Sequence, residues 1–283
     1  MTRQGRIVRW GIAGFLCLFA ILYVFPYIWM AAMSLKPDAE IFSGNIFPTA
    51  PTLEQYDRLL NGYHFQGLTL VVPFLTYFKN TVIVTLASLI LVVTTDALAA
   101  YAFAKFTFRG KTFLFWLMIG TMMLPIYATL IPTFWLFSKI GFINTYHALI
   151  WPSVIDAYGI FLLRQYMETI PNELIDAAKV DGAGPFRIFW RVMVPLSRPA
   201  LGTLVVFRFL FIWNDYLWPL IVLRKESMFT LPVGIASMQL RQGMVVWGSQ
   251  MAASVLATIP VILLVLIMQR QFLRGLLAGA FKA

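Results

Sequence analysis

The chain has 283 residues, of which 60% are hydrophobic and only 12% are charged. Soluble domains average about 25% charged residues, so this composition indicates a membrane protein. The net charge of +10 does not indicate nucleic-acid binding, because the basic residues are scattered at the ends of apolar segments instead of forming one basic face. The single cysteine, Cys17, lies inside an apolar segment, which excludes a disulfide framework and a cysteine-based metal site.

The N-terminal segment carries Arg3, Arg6 and Arg9 before a long apolar run. Secretory signal peptides and uncleaved first membrane helices share this pattern. The run is as long as a membrane span and has no obvious small-residue cleavage site before Lys36. An uncleaved first helix is therefore expected.

Apolar segments of about 20 residues mark helices that are long enough to cross a bilayer. We therefore predict an all-α membrane protein with six transmembrane helices, organised as one transmembrane domain over residues 1–283. The predicted spans lie near residues 10–33, 78–104, 113–137, 146–166, 197–223 and 249–269.

Basic residues predict which side of the membrane each loop faces, because cytoplasmic loops are enriched in Lys and Arg. With a cytoplasmic N-terminus, 14 of the 22 basic residues lie inside and 7 outside, and Arg208 falls within a span. The short loop 105–111 supports this orientation most strongly, since it carries three basic and no acidic residues. An even number of spans then places both termini in the cytoplasm.

Two external segments, residues 34–77 and 224–248, are long for connections in a compact protein. Either segment could be a plain connector. Loops of this length more often bind something.

A polar segment at residues 167–196 separates two predicted spans on the cytoplasmic side. Its local chemistry predicts two short helices. Asn172 is predicted to cap the first helix, Glu173 and Asp176 to lie in its first turn, and Gly182 to end it. Pro185 suits the first turn of the second helix. From composition alone, a solvated loop without a partner is as plausible as a docking segment.

Charged residues within membrane spans usually face a bundle interior or a water-filled cavity. Asp96, Asp156, Arg208 and Asp215 are such residues here. Asn214 and Asp215 are candidates for hydrogen bonds to the hydroxyls of a bound solute or to gating groups. Apolar surface would come from the neighbouring aromatic residues Trp213, Tyr216 and Trp218. The alternative is that these polar groups join helices, with Arg208 paired to one of the acids.

Motifs for chemistry are missing from this sequence. Gly110-Lys111-Thr112 resembles the end of a Walker A loop, but the glycine required five residues before Gly110 is Lys105. His64 and His147 have no metal-ligand spacing, and no nucleophile–base arrangement stands out. We predict that the chain is not an enzyme, has no metal site and holds no cofactor.

The polar segment closely resembles the cytoplasmic coupling loop of ABC importer permeases. That family's pattern is Glu-Ala-Ala, then Asp-Gly, then nine residues, then Ile-x-Leu-Pro. Here the corresponding residues are Asp176-Ala177-Ala178, Asp181-Gly182 and Val192-Met193-Val194-Pro195. Ser34-Leu35-Lys36-Pro37, Trp213 to Pro219 and the tail 269–280 extend the resemblance to the smaller permease of carbohydrate importers of the maltose and glycerol-phosphate type.

The resemblance implies a bacterial or archaeal cell-membrane subunit that pairs with a second, homologous permease. A dimer of ATPase subunits, which would bind ATP and Mg²⁺, and an extracytoplasmic solute-binding protein are the other implied protein partners. Membrane lipid surrounds the chain, and nucleic acid is not expected. The tail 275–283 would also reach the ATPase, and loop 224–248 would reach the binding protein. The residues implied to couple to the ATPase are Glu173, Asp176, Ala177, Ala178, Asp181, Gly182 and Ala183.

Sugar and glycerol-3-phosphate importers share these motifs, so the substrate stays open between a mono- or oligosaccharide and glycerol-3-phosphate or its diesters. Much of the substrate contact in this family falls on the partner permease. Two other classes are weaker alternatives. A polytopic membrane enzyme would need a further polar cluster, and a secondary transporter would be expected to show inverted repeats and more spans.

Overall fold

The computed structural model describes residues 3–65, 68–70, 72–238 and 247–280, with side chains described only outside residues 3–8, 63–70 and 270–280. Helices dominate the described chain, which confirms the predicted all-α class. The α-helices are α1 (Arg3–Ser34), α2 (Glu54–Asn61), α3 (Phe74–Lys105), α4 (Lys111–Thr121), α5 (Ile126–Lys139), α6 (Tyr146–Ile150), α7 (Ala157–Glu168), α8 (Asn172–Val180), α9 (Pro185–Ile188), α10 (Val194–Leu196), α11 (Arg198–Trp213), α12 (Leu217–Val222), α13 (Leu231–Ser237) and α14 (Trp247–Ala280).

Short elements complete the described chain. Strands β1 (Tyr63–Phe65) and β2 (Leu68–Leu70) pair antiparallel, with Tyr63 opposite Leu70. Residues Phe189–Met193 form a π-helix between α9 and α10. The 3₁₀ turns are Asp38–Glu40, Trp151–Ser153 and Glu226–Met228.

Within the described residues, four helical segments are long and apolar enough to cross a membrane, and two bent pairs raise the count to as many as six. The four segments are Arg9–Ser34, Phe74–Lys105, Tyr146–Glu168 and Trp247–Gln269. The bent pairs are Lys111–Thr121 with Ile126–Lys139, at 99°, and Pro185–Leu196 with Arg198–Trp213, at 79°. The upper count equals the six spans predicted from sequence.

Three of the predicted continuous spans are interrupted in the structure. The segment 146–166 is divided between α6 and α7, with extended backbone at Asp156. The segment 113–137 is divided between α4 and α5, where Pro125 occupies the N-cap position of α5. Proline restricts the preceding residue away from helical backbone angles, which ends α4 early. The segment 197–223 is divided at residues 214–216, shortly before Pro219. Pro219 has no N–H to donate to the carbonyl of Asp215, so one continuous helix is unfavourable there.

The chain divides into two compact units, and the first comprises Met1–Leu75 and Gly234–Pro260. Gln55, which is fully buried, lies at its centre. The Gln55 Nε2 donates to Asp38 Oδ1 at 2.8 Å and to the Lys36 carbonyl at 3.1 Å, while Ser249 Oγ donates to Gln55 Oε1 at 3.0 Å. This hydrogen-bond network joins the part of segment 34–77 that leads into α2 to the start of α14.

The second unit comprises Thr76–Val233 and Val261–Ala283 and contains two hydrophobic clusters. One cluster joins α3, α7 and α11 to the polar segment between residues 171 and 196; Leu163, Met193 and Leu204 are fully buried there. The other joins α3, α5, α6 and α12 around Phe137 and Val222. The prediction of one domain over residues 1–283 stays a prediction.

Candidate functional site

The polar segment folds as the two predicted helical pieces. The first, α8, spans Asn172–Val180. The second begins at Pro185, which stands in the first turn of α9 as expected, and continues through the π-helix and α10 to Leu196. The chain then turns by 79° into α11, with Pro195 and Pro199 on either side of the bend. We call residues 167–196 the coupling loop, after the family segment that they resemble.

Gly182 ends α8 through a Schellman motif. Its φ of 76° lies in the left-handed region that glycine adopts without a steric penalty. The Gly182 N–H donates to the Lys179 carbonyl at 2.9 Å, and the Ala183 N–H donates to the Ala178 carbonyl at 2.9 Å. Both hydrogen bonds define this motif, and a hydrophobic contact usually accompanies it. Ala178 and Ala183 are both packed against the hydrophobic cluster of the second unit.

The predicted N-cap of α8 is wrong. Asn172 is the first residue of the helix, and Pro171 occupies the cap position without a side-chain hydrogen bond. Proline readily adopts the extended backbone conformation that precedes a helix. The Asn172 side chain bonds to a residue outside α8. Its Oδ1 accepts a hydrogen bond of 2.9 Å from Lys105 Nζ, at the end of α3. Lys105 Nζ also donates to the Ile170 carbonyl at 2.6 Å.

The seven residues implied to couple to an ATPase divide into two groups. Glu173, Asp176, Ala177, Asp181 and Gly182 are exposed. Ala178 and Ala183 are half-buried and face the protein's own core. Of the acidic residues, Glu173 lies in the first turn, as predicted. The prediction that Asp176 also lies in the first turn is wrong. Asp176 follows that turn, and its Oδ1 lies 2.9 Å from Lys179 Nζ.

Sequence reasoning missed the apolar side chains that the coupling loop exposes. Val180 is 88% exposed, Phe186 is 72% exposed and Trp190 is 55% exposed. We call these three residues the apolar patch. The signal in the sequence was the pair Val180 and Phe186 flanking the Asp-Gly turn, but only the fold shows which side chains point outward.

A cavity of about 700 Å³ lies where α11 is interrupted. Asn214, Asp215 and Tyr216 line it, as do Asp156 and Arg208. The predicted pathway residues therefore meet around one space, with one exception. Trp213 is 4% exposed, does not line the cavity and stacks on Phe209 with ring centroids 5.3 Å apart.

Arg208 pairs with an acid, as the alternative reading of the intramembrane charges predicted. Its Nη1 lies 3.5 Å from Asp156 Oδ2. Asp156 also accepts a hydrogen bond from the Gly159 N–H at 3.2 Å and so caps α7, while its own N–H donates to Asp96 Oδ1 at 3.0 Å. Asp96 is fully buried. A connected network of these polar side chains thus joins α3, α7 and α11 beside the cavity.

The remaining predicted contact segments are described in part. In segment 224–248, the Arg224 and Lys225 N–H groups donate to Asn144 Oδ1 at 2.9 and 2.8 Å. Residues 239–246, and with them Arg241, lie outside the described residues. The tail continues helix α14 to Ala280, and residues 281–283 lie outside the described chain.

Several helices long and apolar enough to cross a bilayer define a multi-pass membrane protein. The family described as binding-protein-dependent transport system inner membrane component matches residues 96–277. The arabinooligosaccharides transport system permease protein AraQ of Bacillus subtilis (strain 168) is 32% identical over 99% of this chain and 98% of its own length. The chain therefore belongs to this family, the permeases of ABC importers.

Two further comparisons agree with that assignment. The sn-glycerol-3-phosphate transport system permease protein UgpE of Yersinia pestis bv. Antiqua (strain Antiqua) is 34% identical over 90% of this chain and 91% of its own length. A chain in the crystal structure of a bacterial ABC transporter involved in the import of the acidic polysaccharide alginate is 27% identical. It superimposes with a TM-score of 0.80 over 96% of this chain and 99% of that one. The resemblance to carbohydrate-importer permeases is confirmed.

Proposed function

We propose that this chain is a permease subunit of an ATP-driven importer that carries a mono- or oligosaccharide. It forms half of the translocation pathway, and a separate ATPase drives it through the coupling loop. The observation that carries the proposal is the coupling loop itself, which exposes an acidic helix face and the apolar patch while its other side is fixed in the protein core. The substrates named for the arabinooligosaccharide and alginate systems support a carbohydrate.

The inner side of the coupling loop can pass force to the membrane spans. Ile175, Ile188 and Phe189 are 5%, 2% and 1% exposed and belong to the same cluster as residues of α3, α7 and α11. Closely packed interiors resist deformation, so a displacement of the loop moves the packed helices with it. ATP binding by the partner would favour one of two arrangements through differential contact with this loop.

The outer side of the coupling loop supplies the contact with the ATPase. The exposed carboxylates of Glu173, Asp176 and Asp181 suit basic groups on the rim of a cleft, and the apolar patch suits its interior. In this assembly ATP and Mg²⁺ are bound by the ATPase dimer. A second, homologous permease completes the pathway, and a solute-binding protein delivers substrate from the extracytoplasmic side. Both termini face the cytoplasm.

Charge placed on the coupling loop tests this docking. Val180→Asp, Phe186→Asp and Gly182→Asp should each reduce recovery of the ATPase with the tagged permease by at least tenfold and abolish uptake. Val180→Thr is the matched control, because it keeps the size and branching of the side chain, and it should retain most of the recovery. Recovery of the second permease should stay unchanged in every variant. Normal uptake by the three Asp variants would overturn the coupling role.

The nature of the substrate is tested on the cognate solute-binding protein. Titration calorimetry with an arabino-oligosaccharide, other neutral oligosaccharides, an acidic oligosaccharide and sn-glycerol-3-phosphate separates the two candidate classes. A sugar importer predicts binding of a saccharide, neutral or acidic, and no binding of the phosphate ester. Selective binding of glycerol-3-phosphate or its diesters would replace the sugar with the alternative substrate and leave the coupling role intact.

A further inference from the structure

Two buried hydroxyl groups in the second unit face the same small cavity. Thr85 on α3 is 1% exposed, and Thr230, just before α13, is 4% exposed. Neither Oγ1 atom has a hydrogen-bond partner among the residues that the structure describes. A buried hydroxyl without a partner is unfavourable, so a pair of them at one place needs an explanation.

The cavity that they line has a volume of about 10 Å³. This is room for about one water molecule, which also needs two to four polar partners. Asp215 supplies a third polar group in the lining. Thr81 lines the cavity too, but its Oγ1 already donates to the Tyr77 carbonyl at 3.0 Å and accepts from the Leu231 N–H at 2.7 Å.

Asp215 also lines the cavity of about 700 Å³, and Ser153 and Phe211 are likewise common to both linings. The small cavity therefore lies directly behind the wall of the large one. Asp215 stands in the interruption between α11 and α12, where its N–H donates to the Ile212 carbonyl at 3.3 Å. Its carboxylate accepts a hydrogen bond from the Trp218 N–H, and contacts from neighbouring elements add to this local one.

We propose that one water molecule binds between Thr85, Thr230 and Asp215 and holds the Asp215 carboxylate at the wall of the large cavity. Each threonine hydroxyl donates a hydrogen bond to the water oxygen, and the water donates one to the carboxylate. This arrangement satisfies both unpartnered hydroxyls at once. Thr85 and Thr230 act as positioning residues, since they reach Asp215 through the water.

The first test is a cryo-EM structure of the assembled transporter in lipid nanodiscs, at a resolution that shows ordered waters elsewhere between the helices. We expect a density peak within hydrogen-bond distance of Thr85 Oγ1, Thr230 Oγ1 and an Asp215 carboxylate oxygen. The peak should vanish in the Thr85→Val/Thr230→Val variant. A wild-type map without the peak would overturn the proposal, and this reading does not depend on whether any variant folds.

The second test uses the sign of a stability change. With a bound water, Thr85→Val and Thr230→Val should each lower the melting temperature by about 2–4 °C, and the double variant should lower it by less than the sum. Ser88→Ala is the matched control, because Ser88 is buried on the same helix, has an unpartnered hydroxyl among the described residues and does not line the cavity. It should be neutral or stabilising. If both valine variants behave as Ser88→Ala does, the site is dry and the proposal fails.

Discussion

Lys105 Nζ donates a hydrogen bond of 2.9 Å to Asn172 Oδ1 and so connects the last residue of α3 to the first residue of α8. The same ammonium donates to the Ile170 carbonyl at 2.6 Å. One cation therefore holds both residues that flank Pro171. This contact joins a membrane span to the start of the coupling loop, although 67 positions separate the two residues in sequence.

Removing this cation should loosen the start of α8. In Lys105→Met, amide hydrogens of α8 should exchange roughly fivefold faster, as the loss of about 1 kcal/mol of hydrogen bonding predicts. Lys111→Met is the control, because Lys111 lies in the same region but bonds to the Phe106 carbonyl. Hydrogen-exchange mass spectrometry on the assembled transporter measures both. Equal protection of α8 in the two variants would contradict the role given to Lys105.

The left-handed backbone at Gly182 should make this glycine sensitive to any side chain. Gly182→Ala should cost about 1–2 kcal/mol of α8 stability, because an L-residue is strained at φ 76°. Gly182→Asn should cost less, since asparagine tolerates this conformation. Gly184→Ala is the control: Gly184 has a φ of −70°, and an added Cβ there would meet no atom within 4 Å.

Uptake and stimulated ATP hydrolysis by the assembled transporter report these changes. The expected order of activity is wild type and Gly184→Ala first, then Gly182→Asn, then Gly182→Ala. Because an added Cβ at Gly182 also meets no atom within 4 Å, the order reflects backbone strain. Equal activity of Gly182→Ala and Gly184→Ala would show that the turn tolerates this strain.

Gly159 is the point where α7 passes closest to Asp96. A Cβ at this position would lie 2.1 Å from Asp96 Oδ2 and 2.9 Å from Leu204 Cδ1. Gly159→Ala should therefore destabilise the protein by about 1–3 kcal/mol through overpacking. Gly120→Ala, in α4, meets no atom within 4 Å and should be neutral or slightly stabilising. Thermal unfolding in nanodiscs measures the difference, and similar melting temperatures would contradict the close approach.

Removing only one member of the Arg208–Asp156 ion pair should lower the stability of the protein. Arg208→Met leaves the Asp156 carboxylate without its cation and should cost about 1–3 kcal/mol, less than for a fully buried pair, because the two side chains remain 11% and 21% exposed. Asp156→Asn combined with Arg208→Met should recover part of this loss, since asparagine can still accept from the Gly159 N–H. A double variant as unstable as the sum of the two single variants would show that the pair is not coupled.

Local sequence signals predicted the coupling loop well where the physics is local. The left-handed Gly182 and the helix start at Pro185 follow from the backbone preferences of these two residue types, which neighbours change little. The prediction that Asn172 caps α8 failed because a contact distant in sequence decides the position of its side chain. Pro171 suits the cap position, and Lys105, distant in sequence, competes for the Asn172 side chain.

In the membrane spans too, local signals predicted some features and contacts distant in sequence decided others. Apolar length predicted where helices cross the bilayer, but the hydrophobic pattern alone did not predict the interruptions before Ile126 and at Asn214. Prolines cause both, yet Pro26, Pro132 and Pro260 lie inside continuous helices. Tertiary packing decides which prolines interrupt a helix, because neighbouring helices can satisfy the carbonyl that a proline leaves without a donor.

The sequence by itself determined the membrane class, the family, the end of α8 at Gly182 and the start of α9 at Pro185, since composition, span length and local backbone preferences act without knowledge of the fold. Only the tertiary structure decided that Ala178 and Ala183 face inward while Val180 and Phe186 face outward. It alone brought Asp96, Asp156 and Arg208 together, and it turned Trp213 away from the cavity that Asp215 lines. These relationships depend on how the helices pack, and the residues concerned are up to about a hundred positions apart.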